Sequence, residues 1–213
     1  MSTINILLVE DQTLTRMGVK MSLHRDGSIC RVVAEAGTVK EALAQITSMP
    51  DVDVVLLDLM LPDGNGMDVV QRMRQIGSKA KVLVISADTN RDTILKLTDM
   101  GISGFVSKYV DGKTLEEAID SVYQGLDYFG KDIAEIIHAV TTAKAQAEDI
   151  FTDRELEIMR MCAKGLNVKQ IAEELNISSR TVETHKNNIF KKLGFNSTSE
   201  LMKYMFEHGI VRD

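Results

Sequence analysis

The stretch VDVVLLDLMLPDGNG, residues 52–66, decides the fold of this chain. It begins with an unbroken apolar run at Val54–Leu57, a pattern typical of a parallel strand that helices cover on both faces. The run ends at the carboxylate of Asp58, after which one proline and two glycines break the strand and open a loop. Because ligands bind at the carboxyl ends of the strands in open α/β sheets, Asp58 is predicted to lie at the functional edge of such a sheet.

Strands and helices alternate along the first 127 residues. Apolar runs predict strands at residues 4–9, 29–36, 54–57, 81–86 and 104–107. Helical spacing of apolar residues predicts helices at residues 13–23, 38–47, 67–76, 92–100 and 115–122. In the first helix the apolar positions are Leu14, Met17, Val19 and Met21. Five strands that alternate with five helices predict a doubly wound, five-stranded parallel sheet of the flavodoxin-like α/β class.

The pattern changes after residue 130. Residues 141–149 are rich in Ala, Lys, Gln and Glu, so residues 128–150 are predicted to form a linker that contains a helix. Thr152 and Glu155 then form a capping-box signature, which begins a series of helices predicted at 153–163, 168–175, 179–193 and 198–207. We therefore predict an α/β domain at residues 1–127, the linker at 128–150, and an all-α, four-helix domain at 151–213.

The composition is that of a globular protein with a weakly basic carboxyl end. The 213 residues carry a formal net charge of −6, but residues 151–213 hold 10 Lys and Arg against 9 Asp and Glu. Two cysteines far apart do not make a disulfide framework, which favours a reducing compartment. The amino end lacks a basic leader, and its apolar run is too short for a signal peptide or a membrane span. We therefore expect a cytoplasmic protein with no membrane partner.

Three carboxylates are predicted to meet at one edge of the sheet. Glu10 and Asp11 follow the first strand and Asp58 follows the third, and these strands are neighbours in a doubly wound sheet. Such a cluster is unfavourable unless a cation joins it, and hard carboxylate oxygens suit Mg²⁺ rather than Zn²⁺. The fourth strand adds the hydroxyl of Ser86, and the fifth adds the ammonium of Lys108. We therefore predict a magnesium site with room for water and a phosphate.

Residues 1–127 resemble the receiver domain of bacterial two-component response regulators. The matching motifs read LVED at 8–11, LDLMLPDGNG at 57–66, SA at 86–87 and FVSK at 105–108. The resemblance implies that Asp58 is the phosphoacceptor and a Mg²⁺ ligand, and that a sensor histidine kinase supplies the phosphoryl group. It also implies roles for six other residues, namely Mg²⁺ ligation by Glu10, Asp11 and the main-chain carbonyl of Met60, phosphoryl binding by Ser86 and Lys108, and an inward movement of Phe105 on activation. Many receivers carry Tyr at this last position, so the switch lacks a hydroxyl here.

Two helices of the carboxyl-terminal part, 168–175 and 179–193, are separated by a tight bend at Asn176, as in a helix-turn-helix. The second of them carries a polar stripe with spacings of four, three and four, formed by Arg180, Thr184, Asn187 and Lys191. Such a stripe suits a helix in the major groove, where Asn187 can bind a base edge and the basic side chains can bind phosphates. The same stripe also fits an exposed helix of a plain helical bundle.

Residues 151–208 resemble the LuxR-type helix-turn-helix of response regulators in the NarL/FixJ family. The matching motifs read FTDRE at 151–155, IAEEL at 171–175, RTVETH at 180–185 and KKLG at 191–194. The resemblance implies double-stranded DNA as a partner and a contact surface made of Arg180, Thr181, Glu183, Thr184, Lys186, Asn187 and Lys191. Glu183, Thr184 and Asn187 would face bases, and the two lysines would face the DNA backbone. Glu183 can accept a hydrogen bond from cytosine, but phosphate would equally repel it.

Together the resemblances predict a DNA-binding transcriptional regulator that is activated by Mg²⁺-dependent phosphorylation of Asp58. It is predicted to accept and slowly lose a phosphoryl group on its own side chain rather than to turn over a substrate. We expect a homodimer in the phosphorylated state, with Leu201, Met202 and Met205 of the final helix as a candidate dimer surface. The first alternative is a DNA-binding regulator whose receiver works without phosphate. The second is a phosphatase that uses Asp58 as a covalent nucleophile, although such an enzyme would be expected to have an acid where this chain has Met60.

Overall fold

The computed structural model describes residues 3–25, 27–195, 197–208 and 210, without the side chains of residues 143–148 and 207. Residues 1–2 and 211–213, which belong to the two predicted domains, therefore lie outside the described part. The chain divides into two compact units, Met1–Glu135 and Ile136–Asp213, and each has a hydrophobic core of its own. Within the described ranges, no helix is both long enough and apolar enough to cross a membrane.

The first unit alternates strands with helices. Its strands are β1 (Ile4–Val9), β2 (Cys30–Ala36), β3 (Val54–Leu57), β4 (Met60–Leu61), β5 (Gly64–Asn65), β6 (Lys81–Ser86), β7 (Gly104–Ser107) and β8 (Tyr128–Phe129). Its helices are α1 (Thr13–Leu23), α2 (Val39–Ser48), α3 (Gly66–Gln75), α4 (Arg91–Asp99) and α5 (Gly112–Tyr123). A sixth helix, α6 (Lys131–Ile150), begins in this unit and continues into the second.

Six strands form one parallel sheet in the order β2-β1-β3-β6-β7-β8. The first five of these in space are the predicted strands, and they confirm the doubly wound parallel fold. The sixth, β8, was not predicted, and it extends the edge of the sheet by pairing with Gly104 and Phe105 of β7. Strands β4 and β5 form a separate antiparallel hairpin in the loop that follows β3.

The central strands are buried on both faces, as the apolar run at Val54–Leu57 predicts. Every residue of β3 is fully buried. Alternate residues of β1, such as Ile4 and Ile6, share a core cluster with Leu115 and Ile119 of α5. Because successive side chains of a strand point to opposite faces, Leu7 lies on the other side, where it is also fully buried. Each such side chain stabilises the fold by about 1.5–3 kcal/mol.

Helix α1 exposes most of the apolar positions predicted for it. Leu14, Met17 and Met21 are 84%, 54% and 73% exposed, so these residues do not form the buried side of the helix. The helix packs instead through Leu23, which is 1% exposed, and through the partly buried Val19. Helical spacing identifies an apolar face, but the neighbouring elements decide which side of the helix is covered.

The second unit is the predicted all-α domain. After the end of α6 it contains α7 (Asp153–Ala163), α8 (Val168–Glu174), α9 (Ser179–Leu193) and α10 (Thr198–Glu207). The predicted capping box at the start of α7 is formed, because Thr152 N donates to Glu155 Oε2 at 2.9 Å and Glu155 N donates to Thr152 Oγ1 at 3.3 Å. Fully buried side chains such as Ile158, Val182 and Ile189 join the helices in one core.

The final helix does not offer the predicted dimer surface. Leu201 and Met205 of α10 are 0% exposed and belong to the core of the second unit, and Met202 is half-buried. Leu201 and Met205 lie four residues apart on one face, and that face packs inside the domain, where α10 contacts α7. The assignment of Leu201 and Met205 to a dimer surface was wrong, whereas that of Met202 stays a prediction.

Candidate functional site

The pairing of β1 with β3 brings three carboxylates together. Asp58 N donates to Val9 O at 2.9 Å, which fixes the carboxyl ends of the two strands side by side. One carboxylate oxygen from each of Glu10, Asp11 and Asp58 lies within 4.8 Å of the others. Glu10 and Asp58 are each 1% exposed, whereas Asp11 is exposed to solvent. The cluster therefore has two buried acids and one acid at its mouth.

Lys108 reaches the same cluster from the carboxyl end of β7. It follows β7, and its main-chain N donates to Ser86 O at 3.0 Å. Its Nζ lies 2.7 Å from Glu10 Oε2 and 2.7 Å from Asp58 Oδ2. One ammonium group is thus shared by two buried carboxylates.

Burial and ion pairing move the pKa values of Glu10 and Lys108. Burial raises the pKa of Glu10 above its ordinary value, and the hydrogen bonds from Lys108 and Gln12 only partly offset that effect. For Lys108, burial alone would lower the pKa, but the hydrogen bonds to Asp58 and Glu10 outweigh it and raise the pKa. Lys108 is therefore a firmly held cation, while Glu10 remains incompletely neutralised.

The backbone after β3 approaches Asp58 closely. Leu59 N donates to Asp58 Oδ1 at 2.7 Å, and Gly66 N donates to Leu59 O at 2.9 Å. A Cβ at Gly66 would lie 2.5 Å from Asp58 O and 2.9 Å from Leu59 Cα, so only glycine fits there. The loop that contains Met60 is thereby held against the end of the strand that carries Asp58.

The other predicted receiver residues lie at the ends of neighbouring strands. Ser86 ends β6, is 1% exposed, and its Oγ accepts a hydrogen bond from Asp88 N at 3.1 Å. Phe105 in β7 is fully buried. The side chain of Met60 is 68% exposed, so only its main-chain carbonyl is a candidate for the metal site. The roles implied for these three residues stay predictions.

One basic residue near the cluster was missed by the sequence analysis. The Arg16 guanidinium donates to the main-chain carbonyl of Glu10 and also lies 3.1 Å from Glu35 Oε2. It therefore connects the segment after β1 to the edge strand β2. No motif marks this residue, because its partner is a main-chain carbonyl that any amino acid would supply.

The acidic cluster has the donor set that Mg²⁺ takes in proteins. Three carboxylate oxygens within a small radius, one of them from a solvent-exposed side chain, leave positions for water and for a phosphoryl oxygen. The absence of His or Cys from the cluster suits a hard cation rather than Zn²⁺.

The second unit presents the polar stripe of the predicted recognition helix. Six of the seven predicted DNA-contacting residues of α9 are exposed and Lys186 is half-buried. The bend before α9 contains Asn176 at φ +50°, a conformation that Asn tolerates better than most residues. Ser178 caps the helix, because its Oγ accepts from Thr181 N at 3.1 Å. The two helices α8 and α9 thus form a helix-turn-helix with an accessible polar face.

Lys192 differs from the other basic residues of α9. Its Nζ lies 2.6 Å from Glu155 Oε2, which is buried, and 3.0 Å from Ile150 O. Within the described part of the chain, Arg180, Lys186 and Lys191 make no salt bridge. Lys192 therefore binds inside its own domain, whereas Arg180, Lys186 and Lys191 are the basic residues of the predicted DNA-contact surface.

Known families match both units. The response regulator receiver domain matches residues 6–120, and the domain of bacterial regulatory proteins of the luxR family matches residues 149–205. The chain is also 31% identical over 210 residues to the response regulator UvrY of Escherichia coli (strain K12), an alignment that covers 97% of this chain and 95% of UvrY. The chain belongs to the response regulators. This response regulator combines a receiver domain with a LuxR-type DNA-binding domain, as in the NarL/FixJ type.

Solved structures of response regulators share the fold of this response regulator. RcsB from Salmonella enterica serovar Typhimurium, bound to promoter P1flhDC in the presence of phosphomimetic BeF3⁻, has a TM-score of 0.60 at 20% identity and covers 97% of this chain and 99% of its own. A structure of two RcsB dimers bound to two parallel DNAs has the same TM-score, identity and coverage. At this level of identity the likeness shows the fold alone.

Proposed function

We propose that a histidine kinase phosphorylates Asp58 in a Mg²⁺-dependent reaction and that this modification controls DNA binding through α9. The observation that carries the proposal is the buried cluster in which Glu10 and Asp58 share the single ammonium of Lys108, with Asp11 at the mouth. Buried carboxylates grouped with a cation at the carboxyl ends of parallel strands, one of them with a raised pKa, are typical of a reactive site.

The residues of the cluster fit phosphoryl transfer to a carboxylate. An oxygen of Asp58 forms a bond to the phosphorus while the bond between phosphorus and the nitrogen of the kinase histidine breaks, so the product is an acyl phosphate on Asp58. Lys108 would bind a phosphoryl oxygen, and the contact between its Nζ and Asp58 Oδ2 supports this role. Glu10, Asp11, Asp58 and the carbonyl of Met60 would hold Mg²⁺, which when bound neutralises charge on the phosphoryl oxygens.

Ser86 and Phe105 are proposed to transmit the modification. The Oγ of Ser86 accepts from Asp88 N, so its own hydroxyl hydrogen can be donated to a phosphoryl oxygen. The added charge of roughly −1.5 to −2 draws Ser86 and Lys108 toward it. We propose that Phe105 takes part in the resulting shift of β7.

The DNA contacts are proposed to come from the exposed face of α9. Asn187 and Thr184 face base edges, with Glu183 beside them, and Arg180, Thr181, Lys186 and Lys191 contact the backbone. RcsB, which shares the fold, is bound to DNA as dimers in one structure, and we propose a homodimer of this response regulator in its phosphorylated state. We propose that the dimer surface consists of residues other than Leu201 and Met205, because these two are core residues.

We further propose that the protein works in the cytoplasm and is not a turnover enzyme. Both cysteines are buried free thiols, as suits a reducing compartment. Residues 1–127 would form the receiver, residues 128–150 the linker, and residues 151–213 the DNA-binding domain. The phosphoryl group would be lost by slow hydrolysis from Asp58.

Intact mass spectrometry tests the proposal. Wild type and the Asp58→Ala variant are incubated with Mg²⁺ and acetyl phosphate, and DNA binding of the same samples is then measured. We expect the mass of one phosphoryl group to be added to wild type alone, together with tighter DNA binding. If no adduct forms and both proteins bind DNA equally, the receiver works without phosphate. Continuous release of phosphate from an external substrate would instead indicate a phosphatase.

A further inference from the structure

Asp63, at the tip of the β4–β5 hairpin, binds the main chain of another element. Val39 N donates to Asp63 Oδ1 at 2.7 Å, and Lys40 N donates to Asp63 Oδ2 at 3.1 Å. Val39 and Lys40 are the first two residues of α2, and the N–H groups of a first helical turn have no partner within their own helix. The carboxylate therefore supplies a bidentate cap from outside the helix.

The start of α2 needs this external acceptor. Its own N-cap residue, Thr38, accepts only from Glu41 N, at 3.0 Å. Two donors remain, and Asp63 accepts from both of them at the positive end of the helix dipole. The hydrogen bonds from Lys40 and Val39 lower the pKa of Asp63, so the carboxylate stays ionised.

The same hairpin carries Met60, whose carbonyl is a proposed Mg²⁺ ligand. Met60 pairs with Asn65, and Leu61 pairs with Gly64. The base of the hairpin is held by Gly66 and by the buried side chain of Leu61, whereas the Met60 side chain is largely exposed.

The tip of the hairpin is held by the contact with α2. Besides the Asp63 hydrogen bonds, a Cβ at Gly64 would lie only 3.2 Å from Val39 Cγ2, so the backbone of the tip lies directly against the helix. Because the base and the tip of this hairpin of two-residue strands are both held, its main-chain carbonyls have little freedom to move.

We propose that Asp63 is a positioning residue for the metal site, which restrains the backbone of Met60 by fixing the hairpin to the N-terminus of α2. This role rests on the proposed function of the acidic cluster. Asp63 itself binds neither the metal nor the phosphoryl group. It acts as an outer support of a metal ligand, and such supports determine metal affinity.

The test measures Mg²⁺ binding by the full chain with isothermal titration calorimetry. We expect Asp63→Ala to weaken Mg²⁺ binding by about tenfold, the lower end of the effect of outer-shell substitutions. Asp63→Asn keeps one oxygen acceptor and should give an intermediate loss. The rate of adduct formation with acetyl phosphate should fall at low Mg²⁺ and return to that of wild type when Mg²⁺ is saturating.

Thr38→Ala is the matched control. It removes a cap from the same helix without touching the hairpin, so it should lower thermal stability while Mg²⁺ affinity stays that of wild type. Unchanged Mg²⁺ affinity in Asp63→Ala would overturn the inference, as would an equal loss in Thr38→Ala. Failure of wild type to bind Mg²⁺ or to form the adduct would overturn the proposed function instead, and this inference with it.

Discussion

Two lysines, one in each unit, bind buried carboxylates, and the two sites differ in how completely the acids are satisfied. In the receiver, Lys108 divides its ammonium between Glu10 and Asp58. In the helical domain, Lys192 binds Glu155, and that carboxylate also accepts from the main-chain N and the hydroxyl of Thr152.

The pKa values of the two glutamates move in opposite directions. Burial raises the pKa of Glu10, and its hydrogen bonds do not compensate. Burial also acts to raise the pKa of Glu155, but the hydrogen bonds from Lys192 and Thr152 outweigh it and lower the pKa. A buried acid that is incompletely neutralised stabilises an incoming cation, whereas a fully satisfied acid stabilises the fold. We therefore propose that the two similar ion pairs serve different purposes, cation binding in the receiver and stability in the helical domain.

Replacement of Lys108 should give the largest effect. In Lys108→Ala, the initial rate of phosphoryl uptake from acetyl phosphate should fall by about a hundredfold, as when one donor to a transition-state oxygen is removed. Intact mass spectrometry over time measures this rate. Lys192→Ala should be phosphorylated at the rate of wild type, and equal losses in both variants would remove the distinction between the two lysines.

Replacement of Lys192 should instead destabilise the helical domain. Glu155 would stay buried with fewer donors, which costs about 1–2 kcal/mol because Lys192 itself is partly exposed. Hydrogen exchange of the amides in α7 and α9 measures the loss. Lys191→Ala, an exposed neighbour on the same helix, should change stability by less than about 0.5 kcal/mol. A loss of the same size in both variants would contradict a stabilising role of the contact between Lys192 and Glu155.

The stability of the helical domain should depend on pH through Glu155. The pKa of Glu155 is lowered in the folded state from its ordinary value of 4.5. Ionised Glu155 therefore stabilises the domain at pH values above 4.5, and this contribution is lost as the pH falls through the lowered pKa. Urea unfolding at a series of pH values measures the dependence. The Glu155→Gln variant should lack this part of the loss of stability below pH 4.5. If the free energy of unfolding of that variant depended on acid pH as in wild type, the dependence would belong to other groups.

The smallest effect is expected on the salt dependence of DNA binding. Lys191 is exposed and makes no salt bridge within the described residues, so we propose that it neutralises one phosphate. In Lys191→Ala, the slope of the logarithm of affinity against the logarithm of salt concentration should decrease in magnitude by about 0.9. Fluorescence anisotropy at several salt concentrations measures the slope, and an unchanged slope would exclude this phosphate contact.

The parts of the fold that could be predicted are those in which local pattern and burial agree. The run at Val54–Leu57 predicted a covered strand, and its position predicted Asp58 at the end of the sheet. The three carboxylates followed from the strand order, whereas the importance of Lys108 came mainly from the family resemblance. That its ammonium is shared between Glu10 and Asp58 is a feature of three-dimensional packing.

Where prediction was wrong or incomplete, the missing information was the identity of the neighbour. The apolar spacing of Leu14, Met17 and Met21 indicates a face but not whether the sheet covers it. Met205 of α10 has the same ambiguity, which the packing resolves in favour of the core. The sequence does not distinguish Lys192 from the exposed basic residues of the same helix, because its partner Glu155 lies 37 residues away in the chain.

The short strand β8 has a mechanical consequence. Gly130 N donates to Phe105 O at 2.9 Å, and Ala134 N then donates to Gly130 O at 2.8 Å in the first turn of α6. Two successive main-chain hydrogen bonds thus connect the strand that precedes Lys108 to the first turn of α6. We therefore expect a displacement of β7 along its axis to be transmitted through these bonds to the first turn of α6, so that the position of Phe105 affects the segment that leaves the receiver.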